Sequence, residues 1–184
     1  MLPLIIVLVI AVVVLAVGVA MYNGLIRSKN QVENAWSQID VQLKRRLDLI
    51  PNLVDTVKGY AAHEQETFQQ VIAARNAAID APNTPAGQAA PNDMLTGALG
   101  KLFALSEAYP DLKANQNFLA LQEELTATEG RVAYARQFYN DSVLNYNNKI
   151  ESVPTVFVAK MLGYQQREYF EADEAARTAP GVDF

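Results

Sequence analysis

The sequence predicts an all-α protein in which an N-terminal transmembrane helix continues into a long antiparallel helical bundle. Three observations carry this. Twenty residues near the N-terminus hold no charged side chain, and two long later segments repeat apolar residues at alternating steps of three and four. No apolar–polar alternation bounded by turn residues, the mark of a strand, is evident. The implied organisation is an anchor over residues 1–22, a helical domain over 23–170 and an acidic, flexible tail over 171–184.

The anchor is Leu2 to Met21, interrupted only by Pro3 and Gly18. At ~1.5 Å per residue this helix spans roughly 30 Å, the thickness of a bilayer core, so the lipid bilayer is its expected partner. Pro3 sits in the first turn, where a missing N–H costs nothing. A cleaved signal peptide is the rival reading. It would need a basic leading region and a shorter apolar core, whereas no Lys or Arg precedes this run. Arg27 and Lys29 follow the span, which favours a short N-terminus outside and a cytoplasmic C-terminal domain, and Tyr22 is an interface anchor.

From Ser28 to Ile79 the only punctuation is Pro51 and Gly59. Trp36, Ile39, Leu43, Leu47, Ile50, Val54, Val57 and Ala61 form one seam, continued by Phe68 and Val71. One long helix is expected, bent at Ile50-Pro51-Asn52, because Pro51 removes a donor and disfavours a helical residue before it. That bend reads as a static curve or as a hinge. Ala81 to Pro91 holds three prolines and a glycine and reads as a loop, followed by a short helix capped by Asn92 or Asp93 and running to about Ala108. A third helix is expected from Leu112 to Ile150. Phe118, Leu125, Val132, Tyr139 and Tyr146 lie seven apart, alternating with Leu121, Thr128, Ala135 and Ser142. The small layers let helices approach and the large ones fill the space between. Pro154 ends that helix, and Thr155 to Leu162 forms a short one stopped by Gly163.

Composition narrows the chemistry. The 184 residues include no Cys and one His, so disulfides, thiol nucleophiles and sites needing two histidines are excluded. A net charge of −5 argues against nucleic acid as a partner. His63 with Glu64 and Glu66 makes at best a weak metal site, and Glu123-Glu124 point different ways on a helix. No catalytic residue, metal or cofactor is expected, and the chain reads as a non-enzyme. Lys44-Arg45-Arg46 is the densest basic cluster. On a straight helix it lies about 35 Å past Met21, several Debye lengths of ~8 Å, so lipid is a weaker target than Asp40, Asp48 or a protein partner. Trp36, Tyr139 and Tyr146 fall on seam positions, as core or as an oligomer interface, and the tyrosine hydroxyls need partners if buried.

These residues carry a resemblance. Asn34 to Arg46 reads NAWSQIDVQLKRR, Asp48 to Val54 reads DLIPNLV, and Val57 to Ala61 reads VKGYA. A second block holds Leu121 to Leu125 (LQEEL), Tyr134-Ala135-Arg136, Tyr139-Asn140, Tyr146-Asn147 and Pro154. Over roughly Tyr22 to Phe170 the sequence resembles the LemA family of bacterial membrane proteins. That resemblance implies a single-pass inner-membrane protein with a small outward-facing N-terminus, a helical-bundle domain and no established enzymatic activity. Relatives among magnetosome membrane proteins, and members found beside membrane zinc metalloproteases, imply a role in membrane organisation. The reading is a membrane-anchored scaffold that self-associates. The alternative is a monomeric adaptor binding another membrane protein, such as a protease, through the basic cluster and the acidic tail.

Overall fold

The computed structural model describes residues 2–170, and the expected flexible tail over 171–184 lies outside them. Among the described residues the fold is all-helical: α1 (Leu2–Lys58), α2 (Gln65–Asp80), α3 (Pro85–Ala108), α4 (Pro110–Lys113), α5 (Gln116–Glu151) and α6 (Thr155–Met161). The chain divides into two compact units. One comprises residues 2–37 with Gln137–Glu168, the other Gln38–Arg136 with residues 169–170.

The first unit contains the apolar start of α1. Its large apolar side chains from Leu2 to Val19 are exposed, and this helix is long and apolar enough to cross a membrane. Past the apolar run, Leu25, Val32 and Ala35 of α1 are buried, as are Tyr139, Val143, Tyr146 and Ile150 of α5. The two helices run antiparallel here. Trp36 meets Tyr139 edge-on, ring centroids 5.6 Å apart, and Lys149 Nζ donates to the Gly24 carbonyl at 3.0 Å. The α6 helix closes as expected at Gly163, whose φ of +72° suits a residue without a Cβ. The N–H of Gly163 returns to the Lys160 carbonyl and that of Tyr164 to the Ala159 carbonyl, the paired bonds of a Schellman cap. From there residues 164–168 run without regular structure.

The second unit is a bundle of the 38–58 part of α1, then α2, α3, α4 and the start of α5. Its core joins Ile50, Leu53 and Val57 to Phe68 and Val71, Leu95 and Leu102, Leu112, Phe118 and Leu125. Truncating one such residue to Ala costs about 2–5 kcal/mol.

Three boundaries differ from the sequence expectation. The first helix does not run on to Ile79. It is helical without interruption through Ile50-Pro51-Asn52 and stops at Lys58, where Gly59 begins a turn whose Tyr60 and Ala61 N–H groups both return to the Val57 carbonyl. Only residues 81–84 of the expected loop are a connection, since α3 already starts at Pro85. Thr84 is extended and its Oγ1 accepts the Gly87 N–H at 3.1 Å, while Pro85 occupies the first turn, where proline starts a helix rather than breaking one. Gly87 is required, because a Cβ there would stand 2.6 Å from the Pro82 carbonyl oxygen. The third helix begins at Gln116, not Leu112. Residues 110–113 form the separate turn α4, and the Asn115 side chain accepts the Phe118 N–H at 2.9 Å.

Candidate interface and buried arginine network

In the second unit, three consecutive basic residues meet three environments. Lys44 is exposed and lines a groove of about 360 Å³ with Asp40, Leu47, Asp48, Arg75 and Ile79. Arg45 is half-exposed and pairs with Glu124 at 2.6 Å. Arg46 is 3% exposed. Its Nη2 stands 2.7 Å from Glu129 and donates to Thr96 Oγ1 at 2.9 Å, and Thr96 donates in turn to the Asn92 carbonyl. The 100° step of an α-helix accounts for the difference: residue 46 falls on the face of Leu43 and Ile50, residue 45 beside it. Burial pulls the Arg46 pKa below its ordinary value, against the opposing pull of Glu129. A second arginine joins from α5. Arg136 approaches Asp93 at 3.8 Å and stacks over the Phe170 ring at 4.3 Å, and burial lowers its pKa too. Of the basic cluster, therefore, Lys44 and Arg45 face outward and Arg46 belongs to the interior.

Pro51 has a partner in this unit that its neighbours do not reveal. A helix residue donates its N–H to the carbonyl four positions back, so Pro51 leaves the Leu47 carbonyl without its usual donor. Arg75 of α2 fills the place, its Nε donating to that oxygen at 3.0 Å. Gln88, which sequence reasoning placed in a loop, serves the end of α2 in the same way. Its Nε2 faces the Ala78, Ala81 and Pro82 carbonyls at 3.3–3.5 Å, and Asn92 Nδ2 holds its Oε1 at 3.0 Å. A polar pair four apart, next to a helix end, was the available signal.

In the first unit, Tyr139 and Tyr146 are buried and their hydroxyls do find partners. The partners are backbone carbonyls of the segment after α6. Tyr139 donates to Glu168 at 2.9 Å and Tyr146 to Gln165 at 3.0 Å. Between them Asn147 reads the backbone of Arg167 twice, donating to its carbonyl at 3.0 Å and accepting its N–H at 2.9 Å. Burial raises the pKa of both tyrosines. Trp36 is half-buried against Tyr139.

His63 is exposed in the α1–α2 turn, and Glu64 beside it accepts the Tyr109 hydroxyl at 3.0 Å. Among the described residues no three His, Cys, Asp or Glu side chains are grouped to hold a metal ion.

The sequence is similar to that of several known proteins. The chain is 32% identical over 158 residues to Protein LemA of Metamycoplasma hominis, covering 84% of this chain and 71% of the relative. It is 26% identical over 182 residues to Magnetosome protein MamQ 2 of Paramagnetospirillum magneticum and to Magnetosome protein MamQ of Magnetospirillum gryphiswaldense, covering 85% of this chain and 67% of each. The LemA family model matches residues 35–184, and the chain therefore belongs to the LemA family.

Proposed function

We propose that this chain is a membrane-anchored helical scaffold, without catalytic activity, that self-assembles and organises membrane or membrane-protein complexes. The observation that carries the reading is the run Leu2 to Val19, apolar and exposed, at the start of a helix whose later turns are packed into the protein. Exposure of that much apolar surface is tolerable in lipid and costly in water. The interior supports a structural role. Its charged groups are turned on one another, as Arg46 is on Glu129, rather than on an open cleft. The relatives named magnetosome proteins support a role in organising larger assemblies. Arg27 and Lys29 after the span support a cytoplasmic C-terminal domain in a bacterial inner membrane.

The deciding experiment is the mass and shape of the full-length chain in a mild membrane mimic, by light scattering and direct imaging of one sample. A discrete multimer is expected. A strictly monomeric particle overturns self-assembly and moves the reading to an adaptor, with Lys44 and Arg45 as the first surface to crosslink.

A further inference from the structure

The short helix α6 has an exposed apolar face that its own unit does not cover. Phe157 is 69% exposed and Met161, four residues on and so on the same face, is 78% exposed; Val153, just ahead of the helix, is 76% exposed. The opposite side is anchored, with Ala159 buried. Leaving three large apolar side chains this open on a seven-residue helix and the turn before it is unfavourable in water unless something covers them.

The position of α6 within its unit says what does. Helix α5 runs antiparallel to α1 and ends at Glu151, two residues past Lys149. Lys149 Nζ is bonded to the Gly24 carbonyl and, at 3.1 Å, to Ser28 Oγ. Gly24 is three residues beyond Met21, the end of the apolar span, or about 4.5 Å along the helix. The last two residues of α5 descend about 3 Å further in the same direction. Val153 and the start of α6 therefore sit level with the point where the span leaves the lipid. From Gly163 the chain turns back, its residues 165 and 168 meeting Tyr146 and then Tyr139. The α6 segment is thus the turning point of the unit at the end nearest the span. Its one charged residue, Lys160, is exposed and long enough to reach lipid headgroups from beside an apolar face.

We propose that α6 lies in the headgroup–acyl boundary of the bilayer that holds Leu2–Met21, with Val153, Phe157 and Met161 inserted, as a second membrane contact. An amphipathic helix of this kind buries its apolar face about 5–10 Å into that boundary. Two contacts, one spanning and one lying flat, restrain the tilt of the unit against the bilayer plane, which a single anchor leaves free. The proposal rests on the membrane-anchored reading.

The chain has no cysteine, so single-cysteine variants carry a nitroxide at one place only. Full-length Phe157→Cys, Met161→Cys, Val12→Cys and Leu144→Cys are labelled and reconstituted in vesicles of phosphatidylcholine and phosphatidylglycerol. Collisions with lipid-soluble oxygen and with a water-soluble nickel chelate are compared. The label at 12 is expected to favour oxygen strongly, those at 157 and 161 to favour it at least half as strongly, and that at 144, exposed on α5, to favour nickel. Labels at 157 and 161 that behave like 144 while 12 favours oxygen overturn the proposal and leave the anchor standing. Labels at 157 and 161 shielded from both reagents and broadened by a second label assign the face to another copy and also overturn it. Nickel access at 12 overturns the anchor and the proposal together.

Discussion

If Arg75 is present to serve the carbonyl that Pro51 orphans, the two residues must be coupled energetically. Arg75→Met keeps the apolar stem and removes the donor to Leu47, 3.0 Å away. A hydrogen bond from a charged donor to a carbonyl is worth about 1.5–3 kcal/mol, and the partial exposure of Arg75 places its loss at the lower end, about 1–2 kcal/mol. Pro51→Ala restores an N–H at position 51, which returns to the Leu47 carbonyl by the ordinary helical bond. In that background Arg75 has nothing left to satisfy, and Arg75→Met is expected to cost close to zero. The coupling is therefore about 1 kcal/mol or more, well outside the ~0.3–0.5 kcal/mol error of additivity for independent sites. The assay is urea unfolding of the full-length chain in micelles, followed by circular dichroism, for the four corners of the cycle. Additive costs would refute the reasoning: Arg75 would then act through its contacts along the groove, and the Leu47 carbonyl would be served by solvent.

Adjacent arginines should differ sharply. Arg46→Ala empties a buried site and takes the ion pair from Glu129 and a donor from Thr96 Oγ1, and is expected to cost about 2–5 kcal/mol, whereas Arg45→Ala loses only a half-exposed pair with Glu124 and is expected to cost less than about 1 kcal/mol, both by urea unfolding. Leu125→Ala, in the core of the second unit, should cost about 2–5 kcal/mol in the same assay. The pH response follows from Tyr139 and Tyr146. Burial raises their pKa in the fold, so the neutral phenols contribute stability that is fully present below the unfolded tyrosine value of about 10 and is lost as pH rises through the folded value. Stability should fall in the strongly alkaline range, and the Tyr139→Phe/Tyr146→Phe chain should show a shallower fall there while losing about 0.5–1.5 kcal/mol per hydroxyl at neutral pH.

The parts of this fold that were legible in the sequence are those written in periodicity. The seam from Ile39 to Val57, with Leu47 only partly covered, and the sevenfold series Phe118 to Tyr146 are buried where the spacing places them, because burial of a helix face requires that recurrence. The turns were less legible, since Gly and Pro carry different meanings at different positions. Pro85 starts a helix behind the Thr84 cap, Pro51 is carried inside one, and Gly59 alone ends one. Seven buried positions in phase on both sides of residues 59–64 gave the appearance of one rod, because a turn followed by a helix that folds back onto the same core preserves the phase. In the basic cluster, charge was visible and direction was not. Only the seam itself, with Leu43 and Ile50 flanking Arg46, could have separated Arg46 from Arg45.

The partners of the polar groups were the least legible feature, and for a single reason. Arg75, Gln88, Tyr139, Tyr146 and Asn147 all direct their side chains at backbone groups of another segment. A backbone carbonyl is present at every position, so the receiving residue need have no particular side chain and leaves no mark in the sequence. The same fact sets what each side can tolerate. Replacing the Gln165 and Glu168 side chains by Ala keeps every carbonyl that Tyr146 and Tyr139 use, whereas altering Asn147 removes both of its bonds to Arg167 at once. Limited proteolysis reads the difference. The Gln165→Ala/Glu168→Ala chain should be cut within 164–168 at about the parental rate, and Asn147→Ala, with one donor and one acceptor of the segment left unpaired, should be cut faster by about tenfold per 1.4 kcal/mol lost in local opening. A Gln165→Ala/Glu168→Ala chain cut faster than the parent, and as fast as Asn147→Ala, would mean that the segment is held by its side chains, and an Asn147→Ala chain cut at the parental rate would equally sink the backbone account of its docking.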